Sequence, residues 1–338
     1  MQKQHRPHYT FLTTLAAAVT TAGLVASCTA KTAKEAAAAQ SESTVQVPAF
    51  QADSAYAYIA RQLEFGPRVP GSEAQTAAAE WLIGELQRHG AELHHQTGTV
   101  TAYDGTRLPI HNIVGCYNPQ STRRVLLLSH WDSRHVADHD ADPAKRRQPV
   151  PAANDGASGV GVLLELARLM HSQAPAIGVD LLLVDAEDYG APEDWTGEHS
   201  EEDWALGTQY WCRAPHVPGY QASYGILLDM VGGRDATFFR EYFSEKFAGS
   251  VVDHIWKTAA RLGYGKYFRN KQGGAITDDH YFVNLMAGIP TADIIHTDSN
   301  SSNGSFYEYW HTTDDTLDKI SRETLRAVGE TITHIIYE

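Results

Sequence analysis

Apolar runs that stop abruptly at acidic or histidine residues recur along this chain. The clearest is Val179-Asp180-Leu181-Leu182-Leu183-Val184, which breaks into Asp185-Ala186-Glu187-Asp188. A near-continuous run of this kind, rather than an alternating one, suits a parallel strand buried on both faces. Ile226-Leu227-Leu228 stops in the same way at Asp229, and residues 125–129 run into His130-Trp131-Asp132. Further strand-like pieces fall at 93–101, 112–116 and 291–296. Between them, helical spacing predicts helices over 53–63, 72–89, 160–171, 247–262 and 321–335. The second has Ser72 as N-cap and stops at Gly90, and the third carries the stripe Val160, Leu163, Leu164, Ala167 and Met170. The last opens with Ser321-Arg322-Glu323-Thr324, close to a capping box but with its Glu one position early.

Strands alternating with helices predict an α/β fold, and open α/β sheets bind ligands at the carboxyl ends of their strands. Three further segments bear on that edge. Residues 65–72 are dense in turn formers, reading equally as a helix connection or as part of a site rim. Asn154-Asp155-Gly156-Ala157-Ser158-Gly159 leads into the third helix; it lacks the Lys of a phosphate loop, so an acidic ligand reads better than an anion cradle. A Ser/Asn/Gly-rich loop over 297–305 delivers Tyr309-Trp310-His311-Thr312.

Composition narrows the partners. The 338 residues are 43% hydrophobic, enough for a sizeable core, and the formal charge of −14 with no long basic block argues against nucleic acid. Lys3, His5 and Arg6 precede a small apolar run over 11–25, the layout of an export signal. The run closes on Val25-Ala26-Ser27-Cys28, which resembles the bacterial lipobox, whose cysteine is lipidated and becomes the mature amino terminus. Thr29 rather than Asp follows it, which by the same resemblance points to the outer membrane of a Gram-negative cell. The expected organisation is a lipoprotein signal over 1–27, a flexible tether over 28–48 and a single catalytic domain over 49–338. Cys116 and Cys212 have no metal-binding spacing and leave a disulfide open.

His130, Asp132, Asp155, Glu187, Asp188, Asp229 and His311 thus sit at strand ends, at a helix start or in the late loop. Any one alone reads as a structural or solvated group. Together they are a carboxylate-and-histidine metal set, which suits Zn²⁺, with manganese or iron open on chemistry alone. Adjacent carboxylates such as Glu187 and Asp188 repel unless a cation or a shared proton intervenes, so one ligand beside one proton carrier is a natural division.

In order and spacing, His130-x-Asp132, the 154–159 loop, Glu187-Asp188, Leu228-Asp229 and Trp310-His311-Thr312 resemble the co-catalytic zinc aminopeptidases of the M28 superfamily, from about residue 65 to the carboxyl end. Within it the chain is most similar to the type II glutaminyl cyclases, in particular their bacterial lipoprotein or periplasmic members. The more particular segments are Ser129-His130-Trp131-Asp132-Ser133-Arg134, Asp185-Ala186-Glu187-Asp188-Tyr189, Trp195, Leu227-Leu228-Asp229-Met230-Val231-Gly232-Gly233, Thr277-Asp278-Asp279-His280 and Trp310 before His311. The resemblance implies a three-layer α/β/α fold with a mixed, largely parallel sheet, and one zinc held by Asp155, Asp188 and His311. It implies Glu187 as acid/base, a hydrogen-bonded Asp229–Asp278 network near it, and Trp195 and Trp310 as pocket walls. The expected substrate is a peptide or protein with N-terminal glutamine, and the expected state a monomer held to the membrane through Cys28. Asp188 stands where animal cyclases use Glu, a departure that bacterial members share. An aminopeptidase would instead complete a second metal site with His130 and Asp229, and ligand inventory alone does not separate the two.

Overall fold

The computed structural model describes residues 46–338. The signal-like segment, Cys28 and the tether as far as residue 45 lie outside the described residues. In chain order the elements are α1 (Ala52–Leu63), α2 (Glu73–Arg88), β1 (Glu92–Thr101), β2 (Arg107–Tyr117), β3 (Arg124–His130), α3 (Ala157–Ser172), β4 (Gly178–Val184), α4 (Leu206–Arg213), β5 (Tyr224–Asp229), β6 (Phe238–Arg240), α5 (Tyr242–Arg261), β7 (Phe268–Gln272), α6 (Asp279–Phe282), β8 (Thr291–Ile295) and α7 (Arg322–Tyr337).

Six strands form one sheet in the order β1-β2-β4-β3-β5-β8. β1 and β2 pair antiparallel, as do β2 and β4, and the remaining neighbours are parallel. The sheet is therefore mixed, with a parallel half built from the apolar runs that the sequence marks. Alternate residues of those strands supply two cores. Leu127, Leu181, Leu183, Ile226 and Leu228 face a large cluster fed by α1, α2, α3, α5 and α7. Leu126, Leu128, Leu182, Val184 and Leu227 face a smaller one with Trp211 of α4 and Val283 after α6. Both faces being covered is why these strands read as unbroken hydrophobic runs.

Ser72 caps α2 by accepting from the Gln75 amide at 3.0 Å, and Gly90 follows at φ +75°, the left-handed turn that glycine adopts without strain. Ser321 caps α7 through the Thr324 amide, and Glu323, one place early for a capping box, bonds the Ser321 hydroxyl instead. Helix α5 starts at Tyr242, five residues before the spacing suggests. Glu241 caps it through the amides of Phe243 and Ser244, and Ala248, at φ −136°, interrupts the helical phase. The first half of β2 and all of α4 lie in stretches too polar or too irregular to announce themselves. Among the described residues no helix is long and apolar enough to cross a membrane. Cys116 and Cys212 are free thiols.

Candidate metal and catalytic site

The parallel strands β3, β4, β5 and β8 end on one edge, and every loop that carries a candidate residue converges there. At the β4 end the turn is held by Asp132. Its Oδ1 accepts the Glu187 amide at 3.1 Å and its Oδ2 the Asp188 amide at 3.2 Å. Ala186 takes φ +51° to make this turn, and Met230, after Asp229, and His311 itself also adopt left-handed backbone. Non-glycine residues in that region carry strain that surrounding contacts must hold. The Asp155 loop is fixed by Asp315, whose carboxylate accepts the amides of Asn154 and Asp155 and the Tyr307 hydroxyl. Gly156 has no tolerance for a side chain: a Cβ there would meet Asp132 O and His130 Cε1, both at 2.9 Å.

Asp155, Asp188 and His311 meet. One ligand atom from each lies within 4.8 Å of the others, with all three residues buried. His311 Nε2 is 3.1 Å from Asp188 Oδ1 and 3.7 Å from Asp155 Oδ2. Asp155 Oδ2 and Asp188 Oδ2 are buried with no hydrogen-bond partner, the state expected of oxygens meant for a cation. On its far side His311 Nδ1 faces Asp138 Oδ1 at 3.4 Å, and Asp138 is clamped by Arg134 Nε and Nη2 at 2.8 and 2.7 Å. Burial opposes the Asp138 charge, but Arg134 and His311 outweigh it and hold its carboxyl well below the usual range. A carboxylate behind a histidine in this way fixes the ring for metal binding. The trio fits Zn²⁺: oxygen and imidazole donors, no thiolate, and room for a further ligand.

Glu187 stands next to this trio without joining it and lines a cavity of about 300 Å³ with Asp229, Asp278, Trp204, Phe306 and Trp310. Burial raises its proton affinity well above that of a free glutamate; His130 opposes the shift and Asp278 adds to it. Asp278 is pushed up to about 7 by burial and then by Asp229. Asp229 is pushed up to about 6 by burial, against a hydrogen bond from His130. His130 sits among three carboxylates, with Nε2 at 3.1 Å from Asp155 and 3.2 Å from Asp229, and Nδ1 at 3.4 Å from Asp132. Burial disfavours its charge, but these neighbours outweigh it and raise its pKa well above the ordinary value.

The expected residues are thus brought together, with one difference in the tryptophans. Asp229 is bonded to His130 at 3.2 Å, and it lines the cavity together with Asp278, whose proton affinity it raises. Trp195 lines a neighbouring cavity and rests edge-on against Tyr103; Trp204 and Trp310 line both cavities, Trp204 near-parallel to His311 with ring centroids 6.2 Å apart. Trp310 stacks on His311 with centroids 3.6 Å apart. Asp138, Asp315 and the role of Arg134 escape sequence reading, because they act on other residues from loops with no pattern of their own. The 65–72 segment does brace the rim: fully buried Arg68 donates to the carbonyls of Trp131, Pro151 and Ala152.

Fold and site together define a zinc-type α/β metalloenzyme with a free carboxylate beside the metal trio. The model of peptidase family M28 matches residues 112–336. Among solved structures, a glutaminyl cyclase from Tannerella forsythia has TM-score 0.84 and 54% identity, covering 86% of this chain and 99% of its own. A Zn-dependent exopeptidase from Parabacteroides distasonis has TM-score 0.85 and 52% identity, covering 87% of this chain and all of its own. The glutaminyl-peptide cyclotransferase of Bos taurus is 27% identical, over 80% of this chain and 78% of its own length. The chain belongs to peptidase family M28, on the side of that family that contains the glutaminyl cyclases.

Proposed function

We infer that this protein is a zinc-dependent glutaminyl-peptide cyclotransferase, closing the N-terminal glutamine of peptides or proteins to pyroglutamate with release of ammonia. The observation that carries this is Glu187, a buried carboxyl with raised proton affinity that lines the cavity beside the Asp155–Asp188–His311 trio but is not one of its three donors. Those three side chains would hold one zinc ion per chain, which when bound supplies a Lewis acid for the glutamine γ-carbonyl.

The chain's own groups account for the proton traffic. In this reading the substrate α-amine attacks its own side-chain amide carbon, a C–N bond forms, and the bond to the amide nitrogen breaks as ammonia leaves. Glu187 takes the proton that the amine must lose and returns it to the departing nitrogen; a carboxyl titrating nearer neutrality does both better than a free glutamate. Asp278, with Asp229 behind it, shares that proton. Trp204, Phe306 and Trp310 wall the cavity and hold the glutamine folded back, so that nucleophile and electrophile of one residue start in contact.

One observation favours a second reading. His130, Asp155 and Asp229 also bring ligand atoms within 4.8 Å of one another, which would complete a two-metal aminopeptidase. Metal content of the purified protein separates the two, at one ion per chain or two. For the acid/base assignment, Glu187→Gln should keep zinc and lose about 100-fold or more in turnover, whereas His311→Ala should lose both. Full cyclisation by Glu187→Gln would remove Glu187 from the mechanism.

We also propose that Cys28 is lipidated and tethers a monomeric domain to a Gram-negative membrane, facing the periplasm or outer membrane. Its support is the Val25-Ala26-Ser27-Cys28 motif, the polar stretch that follows it, and a site assembled from one chain. Labelled palmitate should enter the protein in cells and be lost in Cys28→Ala.

A further inference from the structure

The ladder between β2 and β4 ends at the pair Ile113–Leu183, and beyond it side chains take over from the backbone. Asn112 Oδ1 accepts the amide of Asp185 at 3.0 Å, Asp185 Oδ1 the amide of Ala186 at 2.9 Å, and the two oxygens of Asp132 the amides of Glu187 and Asp188. Each amide of the turn that carries the proposed base is therefore held by a side-chain oxygen. The carbonyls of the same turn serve a different element: Ala186 O accepts the Leu206 amide and Glu187 O the Ala205 amide, both at 3.0 Å. Ala205 and Leu206 lead from Trp204 into α4, so the turn and the aromatic wall of the cavity are joined main chain to main chain.

Asn112 closes this junction from the side. It is fully buried, and while its Oδ1 holds Asp185, its Nδ2 donates to Gly207 O in the first turn of α4 at 2.8 Å and to Gln96 Oε1 of β1 at 2.9 Å. One side of the group meets an N–H and the other meets two oxygens, a demand that a carboxamide satisfies because it is acceptor and donor at once. The fit is close: a Cβ on Gly207 would lie 1.9 Å from Asp185 O and 2.8 Å from Asn112 Oδ1. Asp185 anchors the same turn from behind, its Oδ2 accepting Gln75 Nε2 of α2 and the His111 amide of β2, both at 2.7 Å. Asn112 does not line the catalytic cavity, so it acts there only through the two segments it holds.

We propose that Asn112 is a positioning residue that sets the separation between Glu187 and Trp204, and with it the width of the cavity that takes the glutamine side chain. Its Oδ1 arm fixes the strand end from which the Glu187 turn departs, and its Nδ2 arm fixes the start of α4, next to Trp204. Without the amide the wall can drift from the turn, so binding and turnover both suffer although no group that meets the substrate has changed. The kinetic consequence rests on the cyclase reading; the brace between the two segments does not.

The test uses the zinc-loaded enzyme and a Gln-initiated peptide, with zinc content and melting temperature measured alongside. Asn112→Leu, close in size but without polar side-chain atoms, should keep its zinc, because Asp132 still holds the Asp188 amide, while kcat falls about tenfold and KM rises about tenfold. Combined with Trp204→Ala, it should raise KM no further than Trp204→Ala does alone, whereas its loss in kcat should persist; a role confined to general stability would leave the two KM effects additive. In ¹⁹F NMR of the protein labelled with fluorotryptophan, the Trp204 signal, assigned by its loss in Trp204→Phe, should shift or broaden in Asn112→Leu. Asn112→Ser, too short to span both partners, carries the same three readouts if the Leu variant does not fold. The proposal is overturned if the folded variant keeps wild-type kcat and KM, if its KM effect adds in full to that of Trp204→Ala, if the Trp204 signal is unmoved, or if neither variant folds, which would make Asn112 a requirement of the fold rather than of the site. Absence of pyroglutamate from the wild type would overturn the cyclase reading alone, and the ¹⁹F measurement would still decide the brace.

Discussion

The backbone amide of Glu187 donates to Oδ1 of Asp132 at 3.1 Å, and the other oxygen of that carboxylate takes the amide of Asp188. One buried side chain from the β3 end thus sets the direction of both the proposed base and a proposed metal ligand at the β4 end. Asp132→Asn can accept on one side only and turns a donor against an amide on the other. It should lower turnover by about 100-fold, with zinc partly lost, because a displacement of about 1 Å at this turn moves both groups. Measured kcat alongside zinc content checks this; unchanged turnover would mean that the strained Ala186 backbone holds the turn unaided.

Asp138 acts on the metal from one residue away, through His311 Nδ1. Asp138→Asn should weaken zinc affinity by about 10–100-fold while leaving turnover near normal when zinc is in excess. Chelator titration followed by zinc add-back measures both. Loss of turnover that zinc does not restore would show that Asp138 mainly supports Arg134 and the loop around it.

The two tryptophans of the loop after β4 should separate. Trp204→Ala removes a wall of the catalytic cavity and should raise KM about tenfold or more, whereas Trp195→Ala, beside Tyr103 and 37% exposed, should change it by less than about threefold. Steady-state kinetics on short Gln-initiated peptides decide between them, and the opposite ranking would mean that the substrate extends into the neighbouring cavity.

This pair also shows what could be read in advance. The strands and their acidic ends were legible because burial on both sheet faces leaves unbroken apolar runs, and His130, Asp155, Glu187, Asp188 and Asp229 follow such runs or a helix start. His311 was found through its neighbours and the resemblance, not through any pattern around it. Which tryptophan of this loop reaches the catalytic cavity depends on loop conformation, since Ala205, at φ +52°, turns the chain next to Trp204, whose ring lies beside His311. Asp315 and Asp138 escaped for a related reason: they bond backbone and side chains far away in the chain, and such partners leave no periodic trace. The early start of α5 was hidden by the phase break at Ala248.

Stability should depend on pH through His296, which is buried beside Phe238 and Tyr307 with its Nδ1 unpartnered. Burial lowers its pKa to about 4. An unfolded histidine titrates near 6.5, so as pH falls below that value the unfolded chain takes up a proton that the folded one refuses, and stability is lost progressively down to about pH 4. Going from pH 7.5 to pH 5, this one group should cost ~2 kcal/mol. Urea unfolding of wild type and His296→Phe at the two pH values isolates it: the variant should lose less stability than wild type by about that amount, and equal losses would exclude His296 as a source of acid sensitivity.

The most direct measurement of the central claim is the product formed from a peptide beginning with glutamine. Incubated with the zinc-loaded protein, the peptide should lose the mass of one ammonia and keep its length, with one ammonia released per molecule and activity abolished by a chelator. Release of free glutamine and a peptide shortened by one residue would contradict the account and assign the site to hydrolysis.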